Sequence, residues 1–124
     1  MKNLIYNELN FIFENPEYFL IIHANDEKNY YVQFIFKPES SELYAEAVSN
    51  RFLREKFRLD EIQISMLKIQ GWQMPIPISI DNFHRIWILK NASELFAISS
   101  EIESTLRLVY KANDEDIKFK RSML

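Results

Sequence analysis

An α+β fold is predicted, with an antiparallel sheet of about five strands packed against helices in the order α-β-β-β-α-β-β-α. Two patterns carry this expectation. Apolar residues recur at helical spacing near both ends of the chain and between Leu59 and Gln70, whereas aromatic and β-branched residues crowd the runs 18–24, 30–36 and 83–89. Polar or proline-bearing stretches separate the runs and supply the turns.

Ile5, Leu9, Ile12 and Phe13 define a first helix over about residues 3–15, which Asn15-Pro16 stops because a residue before proline is pushed out of helical geometry. YFLIIHA and YYVQFIF, joined by the polar NDEK stretch, read as an antiparallel hairpin. After the turn Pro38-Glu39-Ser40-Ser41, Leu43, Ala45 and Ala47 alternate with Glu42, Tyr44, Glu46 and Val48 in a third strand with one wet face. AEAVSNRFL, residues 45–53, then carries the strand straight into a helix start, where Ser49 or Asn50 caps the exposed amides. A second helix is read from the stripe Leu59, Ile62, Met66 and Ile69. It ends at Gly71, the only glycine, placed where a left-handed cap is required. Pro75 and Pro77 limit MPIPISI to an edge strand or an extended connection, and FHRIWIL is the better strand. Asn91 and Glu94 open a long last helix with the buried stripe Leu95, Ile98, Ile102, Leu106 and Val109, a helix expected to lie across the whole sheet. The mixed segment 113–124 is expected to be a loose tail or a short extension of a single domain covering 1–124.

The 124 residues, 48% hydrophobic and 27% charged, suffice for one core. The net charge of −3 argues against a general nucleic-acid binder, which relies on a basic surface to release counterions, and leaves nucleic acid a disfavoured partner. Without cysteine there are no disulfides, thiolate metal sites or cysteine nucleophiles, which agrees with a reducing compartment. Asn3, Asn7, Glu8 and Asn10 interrupt the apolar N-terminus, so neither an export signal nor a membrane span is expected and the cytoplasm is the default location.

Catalytic and cofactor chemistry finds little footing. Glu42 and Glu46 share a strand face, but at about 3.3 Å per residue they stand roughly 13 Å apart, too far for a glycosidase pair. His23 and His84 lie in separate strands without a metal-site spacing, and one glycine builds neither a phosphate loop nor a dinucleotide fingerprint. No enzyme activity, metal or cofactor is expected. Arg51, Arg54, Lys56 and Arg58 are read first as a solvated helix start. Trp72 and Trp87 are each either core residues or binding anchors, with core packing preferred for Trp87.

The segment from Leu43 through AEAVSNRFL to Gly71-Trp72 and Asn82-Phe83 resembles the TY-Chap family, single-domain relatives of the type III secretion chaperones. The resemblance runs from about Tyr31 to Tyr110, and its specific part is AVSN at 47–50, Phe52-Leu53, Gly71-Trp72 and the strand containing Phe83 and Trp87. It implies a secretion-chaperone-like fold, a role as adaptor, chaperone or immunity factor, and no catalytic residues.

The leading expectation is a protein-binding immunity protein that neutralises a basic, nuclease-like toxin. Glu42, Tyr44, Glu46, Arg51, Trp72, Glu94, Glu101, Asp114, Glu115 and Asp116 are its candidate contacts, because acidic and aromatic side chains suit a basic partner. The alternatives are a secretion chaperone that escorts an effector, expected as a homodimer, and a regulatory domain with a small molecule between sheet and long helix.

Overall fold

The computed structural model describes residues 1–75 and 82–124. Helix α1 (Lys2–Glu14) is followed by strands β1 (Tyr18–Asn25), β2 (Tyr30–Lys37) and β3 (Glu42–Ala47), helix α2 (Glu61–Ile69), strand β4 (Phe83–Ile88), helix α3 (Leu95–Ser104) and strand β5 (Lys118–Met123). The five strands form one antiparallel sheet in the order β4-β3-β2-β1-β5. The architecture is therefore the expected antiparallel α+β fold.

Strand alternation decides where the core sits. Leu20, Ile22 and Ala24 of β1, Val32, Phe34 and Phe36 of β2, and Leu43, Ala45 and Ala47 of β3 are all buried on the inner face. Against that face α1 turns Ile5, Leu9 and Ile12 inward, and α3 lies beside α1 with Leu95, Ile98 and Ile102 buried. Each such side chain withdrawn from water contributes about 1.5–3 kcal/mol. Asn15 closes α1 with backbone and side-chain bonds from its nitrogens to the Phe11 carbonyl, at 2.8 and 2.9 Å.

The C-terminal segment differs most from expectation. Residues 118–123 are not a loose tail: they pair with β1 along its length and supply the fifth strand. Arg121, on the inner face, explains their order. Its Nε and Nη2 reach the Glu8 carboxylate of α1 at 2.8 and 2.9 Å, and its guanidinium lies 3.6 Å from the centre of the Phe11 ring. The strand expected in MPIPISI lies, from Ile76 on, outside the described residues, so among those described the last strand follows the last helix.

The junction after β3 also departs from the sequence reading. Rather than a helix, it forms two short 3₁₀ turns, Asn50–Phe52 and Glu55–Phe57. Asn50 acts as a clamp rather than a cap. Its Oδ1 accepts from the Leu59 N–H at 2.6 Å and its Nδ2 donates to the Leu59 carbonyl at 3.1 Å, which pins the far end of the loop beside its start.

Helix α2 begins at a capping box, in which Asp60 accepts from the Gln63 N–H at 2.8 Å and Gln63 Oε1 accepts from the Asp60 N–H at 2.9 Å. It ends in a Schellman motif. Gly71 N–H bonds the Lys68 carbonyl, Trp72 N–H bonds the Leu67 carbonyl, and Gly71 takes φ +93°. That motif brings buried Leu67 and Trp72 together and turns the helix away from the expected stripe, so that Ile62 and Ile69 are 71% and 85% exposed.

The last helix keeps its predicted stripe and begins at Asn91, whose Oδ1 accepts from the Ser93 N–H at 3.0 Å. The expected capping box is only half made, because Glu94 accepts from the Lys90 N–H instead. Beyond Ser104 the helix widens into a π turn, Thr105–Val109, closed by Tyr110 N–H on the Thr105 carbonyl. Gln63 of α2 takes up the Val109 carbonyl at 2.6 Å. The turn swings the Tyr110 ring into the core, where its hydroxyl donates to the Val48 carbonyl at 2.8 Å.

Candidate functional site

The same alternation that builds the core leaves the other side of the sheet bare. α1 and α3 lie on the inner face, and among the described residues no helix covers the outer one. Cross-strand register sets its rows: Ile86, Tyr44 and Ile35 lie abreast on β4, β3 and β2, and His84, Glu46, Gln33, Ile21 and Lys120 form the next row across all five strands. Phe19 and Tyr31 complete an aromatic and aliphatic patch. Ile86 is 45% and Ile88 63% exposed at its rim.

A groove of about 240 Å³ crosses this face, lined by Phe19, Gln33, Phe34, Ile35, Tyr44, Glu46 and Leu124. Asn82, itself buried, organises its polar end. The side-chain oxygen of Asn82 accepts from the Ser49 N–H at 3.1 Å, while its amide nitrogen lies 3.2 Å from both Glu46 Oε1 and the Tyr31 hydroxyl oxygen. Partial burial, and then the neighbouring Glu46 carboxylate, raise the Tyr44 phenol above its ordinary pKa, so Tyr44 stays a neutral donor. His84 stacks on Tyr44 at 6.5 Å between ring centroids, and the Lys37 ammonium lies 5.2 Å from the Tyr44 ring.

Strand β4 adds an edge that is open, among the described residues, beyond its bridge to Gln73. His84 exchanges N–H and carbonyl bonds with Gln73, on the side away from β3. By alternation Ile86 and Ile88 turn their N–H and C=O groups to that same side, where among the described residues nothing pairs with them. The opposite edge is different. On β5, Lys118, Lys120 and Arg121 place charge along the border, a common protection against strand pairing.

Of the predicted contact residues, the structure gathers only Glu42, Tyr44 and Glu46, all on the outer face of β3. Trp72 is a correction. At 3% exposure it packs in the core with its indole N–H donating to Thr105 Oγ1, so it presents no surface to a partner. Glu101 pairs with Arg85 at 2.7 Å on the helical side, and Asp114 pairs with Arg107 at 2.5 Å. Arg51 sits in the first 3₁₀ turn, Glu94 before α3, and Glu115 and Asp116 near the β1–β2 turn beside Asp26 and Lys118. Sequence reasoning missed Phe19, Ile35, Ile86 and Ile88. Their alternation with the core positions was the available signal.

No group of three or more acidic, histidine or cysteine side chains is placed to hold a metal ion, and no helix is long and apolar enough to cross a membrane, among the described residues. No curated protein and no solved structure matches the chain significantly. A family described as T3SS (YopN, CesT) and YbjN peptide-binding chaperone 3 matches residues 14–115, from the end of α1 to the turn before β5. With most of its length matched in this way, including the strands β1 to β4 that carry most of the open face, the chain belongs to the TY-Chap3 family of peptide-binding chaperones.

Proposed function

We propose that this protein is a non-catalytic chaperone that holds an extended segment of a protein partner on the outer face of its sheet, beside the open edge of β4. The observation that carries the reading is the band of Phe19, Ile21, Ile35, Tyr44, Ile86 and Ile88 across the uncovered face, apolar surface where a solvated sheet face is ordinarily polar. An extended segment suits both features, since its backbone can continue the sheet along Ile86 and Ile88 while alternate side chains lie over Tyr44, Ile35 and Phe19. Family membership supports the same reading. Toxin inhibition draws less support, because the acidic side chains it relies on are dispersed and two of them, Glu101 and Asp114, are paired within the chain.

A labelled peptide of about ten residues, alternating valine and serine, provides the test. Binding is expected to shift the NMR signals of Ile35, Tyr44, Ile86 and Ile88, and to weaken at least about tenfold in Ile86→Lys and Ile88→Glu. Shifts confined to the helical side, or affinity untouched by both substitutions, would overturn the proposal.

A further inference from the structure

We infer that the groove on the outer face is a subsite for an arginine side chain of the bound segment, with Glu46 taking the guanidinium. The inference rests on the peptide-binding reading and names a chemical preference that this reading does not contain. Three observations carry it. First, the groove is apolar along its walls, through Phe19, Ile35 and Leu124, and ends at a carboxylate, the profile of a side chain with a hydrocarbon stem and a charged head. Second, Glu46 is an anion without a cation. Only the Asn82 amide bonds it, its cross-strand neighbours are Gln33 and His84, and no ammonium or guanidinium pairs with it among the described residues. Glu42, by contrast, sits cross-strand from Lys37. Third, the groove wall includes the Phe19 ring, an aromatic surface against which a guanidinium can lie while its stem follows Ile35.

Arginine meets these features better than lysine. Its planar guanidinium stacks on an aromatic ring and donates in the plane to a carboxylate at the same time, whereas an ammonium is a compact, strongly hydrated charge. Asn82 fixes the Glu46 carboxylate before the guest arrives, which lowers the ordering cost of binding.

The test titrates the full chain with N-acetyl-arginine methylamide and with its citrulline counterpart, which has nearly the same shape and no charge, following NMR shifts. The arginine compound is expected to move Gln33, Ile35 and Tyr44, with citrulline at least about fivefold weaker. Glu46→Gln, which keeps an acceptor for Asn82, is expected to abolish the difference, while Glu61→Gln on α2 preserves it. Equal titration by the two compounds of the wild-type chain would overturn the inference without any variant. So would a preference that survives in Glu46→Gln or is lost equally in Glu61→Gln. Should the uncharged valine–serine peptide fail to bind while the arginine compound still titrates at Glu46, the chaperone reading falls and the subsite stands.

Discussion

The Trp72 indole donates a hydrogen bond to Thr105 Oγ1 at 3.2 Å, joining the C-terminal turn of α2 to the π turn that closes the last helix. Trp87 packs edge-on against the same indole at 6.3 Å, but its own Nε1 is buried with no partner among the described residues. The two tryptophans should therefore respond differently to phenylalanine. Trp72→Phe loses a buried bond as well as area and is expected to cost about 2–3 kcal/mol. Trp87→Phe removes an unpaired donor, which offsets part of the lost packing, and should cost about 1 kcal/mol less. Urea denaturation of both variants measures the difference, and equal losses would contradict it.

Gly71 stands in the left-handed region at φ +93°, and a Cβ built there meets the Arg85 guanidinium at 3.1–3.3 Å. Arg85 is engaged in turn with the Gln70 carbonyl and Glu101. Gly71→Ala is accordingly expected to cost about 1–3 kcal/mol, from backbone strain and from displacement of Arg85. In an Arg85→Ala background the displacement disappears and only the strain remains. A double-mutant cycle on chemical denaturation should show that reduction, and strict additivity would rule out the coupling.

Gly71 also illustrates what could be read from the chain alone. A single glycine after an apolar helical stripe has few other uses, and the α1 stripe was legible because Ile5, Leu9, Ile12 and Phe13 follow one another at helical spacing on one face. Helix α2 offers two apolar faces, Ile62 with Ile69 and Ile64 with Leu67, and periodicity cannot choose between them. The choice is made by the Schellman contact of Leu67 with Trp72, a consequence of the turn. KFKRSM hid β5 because its charges mark a border strand, whose partner lies about a hundred residues earlier in β1. The candidate face was half legible. Glu42, Tyr44 and Glu46 were read as a wet face, whereas Phe19 and Ile35 stand in runs that are apolar on both sides, where alternation sorts the residues into two sets without saying which set the helices cover.

Tyr110 gives stability a definite pH limit. Burial pushes its phenol well above the ordinary value of about 10, with Tyr31 and Tyr30 adding to the shift, while its hydroxyl donates to the Val48 carbonyl. As pH rises past about 10 the unfolded chain loses this proton and the folded chain keeps it, so the unfolded state binds fewer protons and folding stability falls. Below about pH 10 the contribution is fully present. Urea midpoints should therefore be flat on this account up to about pH 10 and then decline. Tyr110→Phe should reduce the alkaline decline and also lower the neutral baseline by about 1–2 kcal/mol, since the Val48 carbonyl is left unpaired. An undiminished alkaline slope in that variant would show that another group titrates.

Arg121 and Glu8 decide whether the chain after residue 117 behaves as a strand in solution. Their paired bonds run from β5 to α1, across the inner side of the sheet border, and the Arg121 guanidinium also covers the Phe11 ring. Because Arg121 is 41% and Glu8 18% exposed, the pair is partly screened, and Arg121→Lys should cost only about 1 kcal/mol globally. Its local effect should be larger. β5 is held by one neighbour, β1, so loosening its tie to the helix lowers the free energy of opening that strand more than that of unfolding the sheet. Hydrogen exchange is the sensitive measurement. In the wild-type chain, alternate β5 amides bonded to β1 should be protected, and in Arg121→Lys they should exchange faster while amides of β2 and β3 stay unchanged. Fast exchange throughout 118–123 in the wild type would mean that the border strand opens independently, with β1 as the working edge of the sheet.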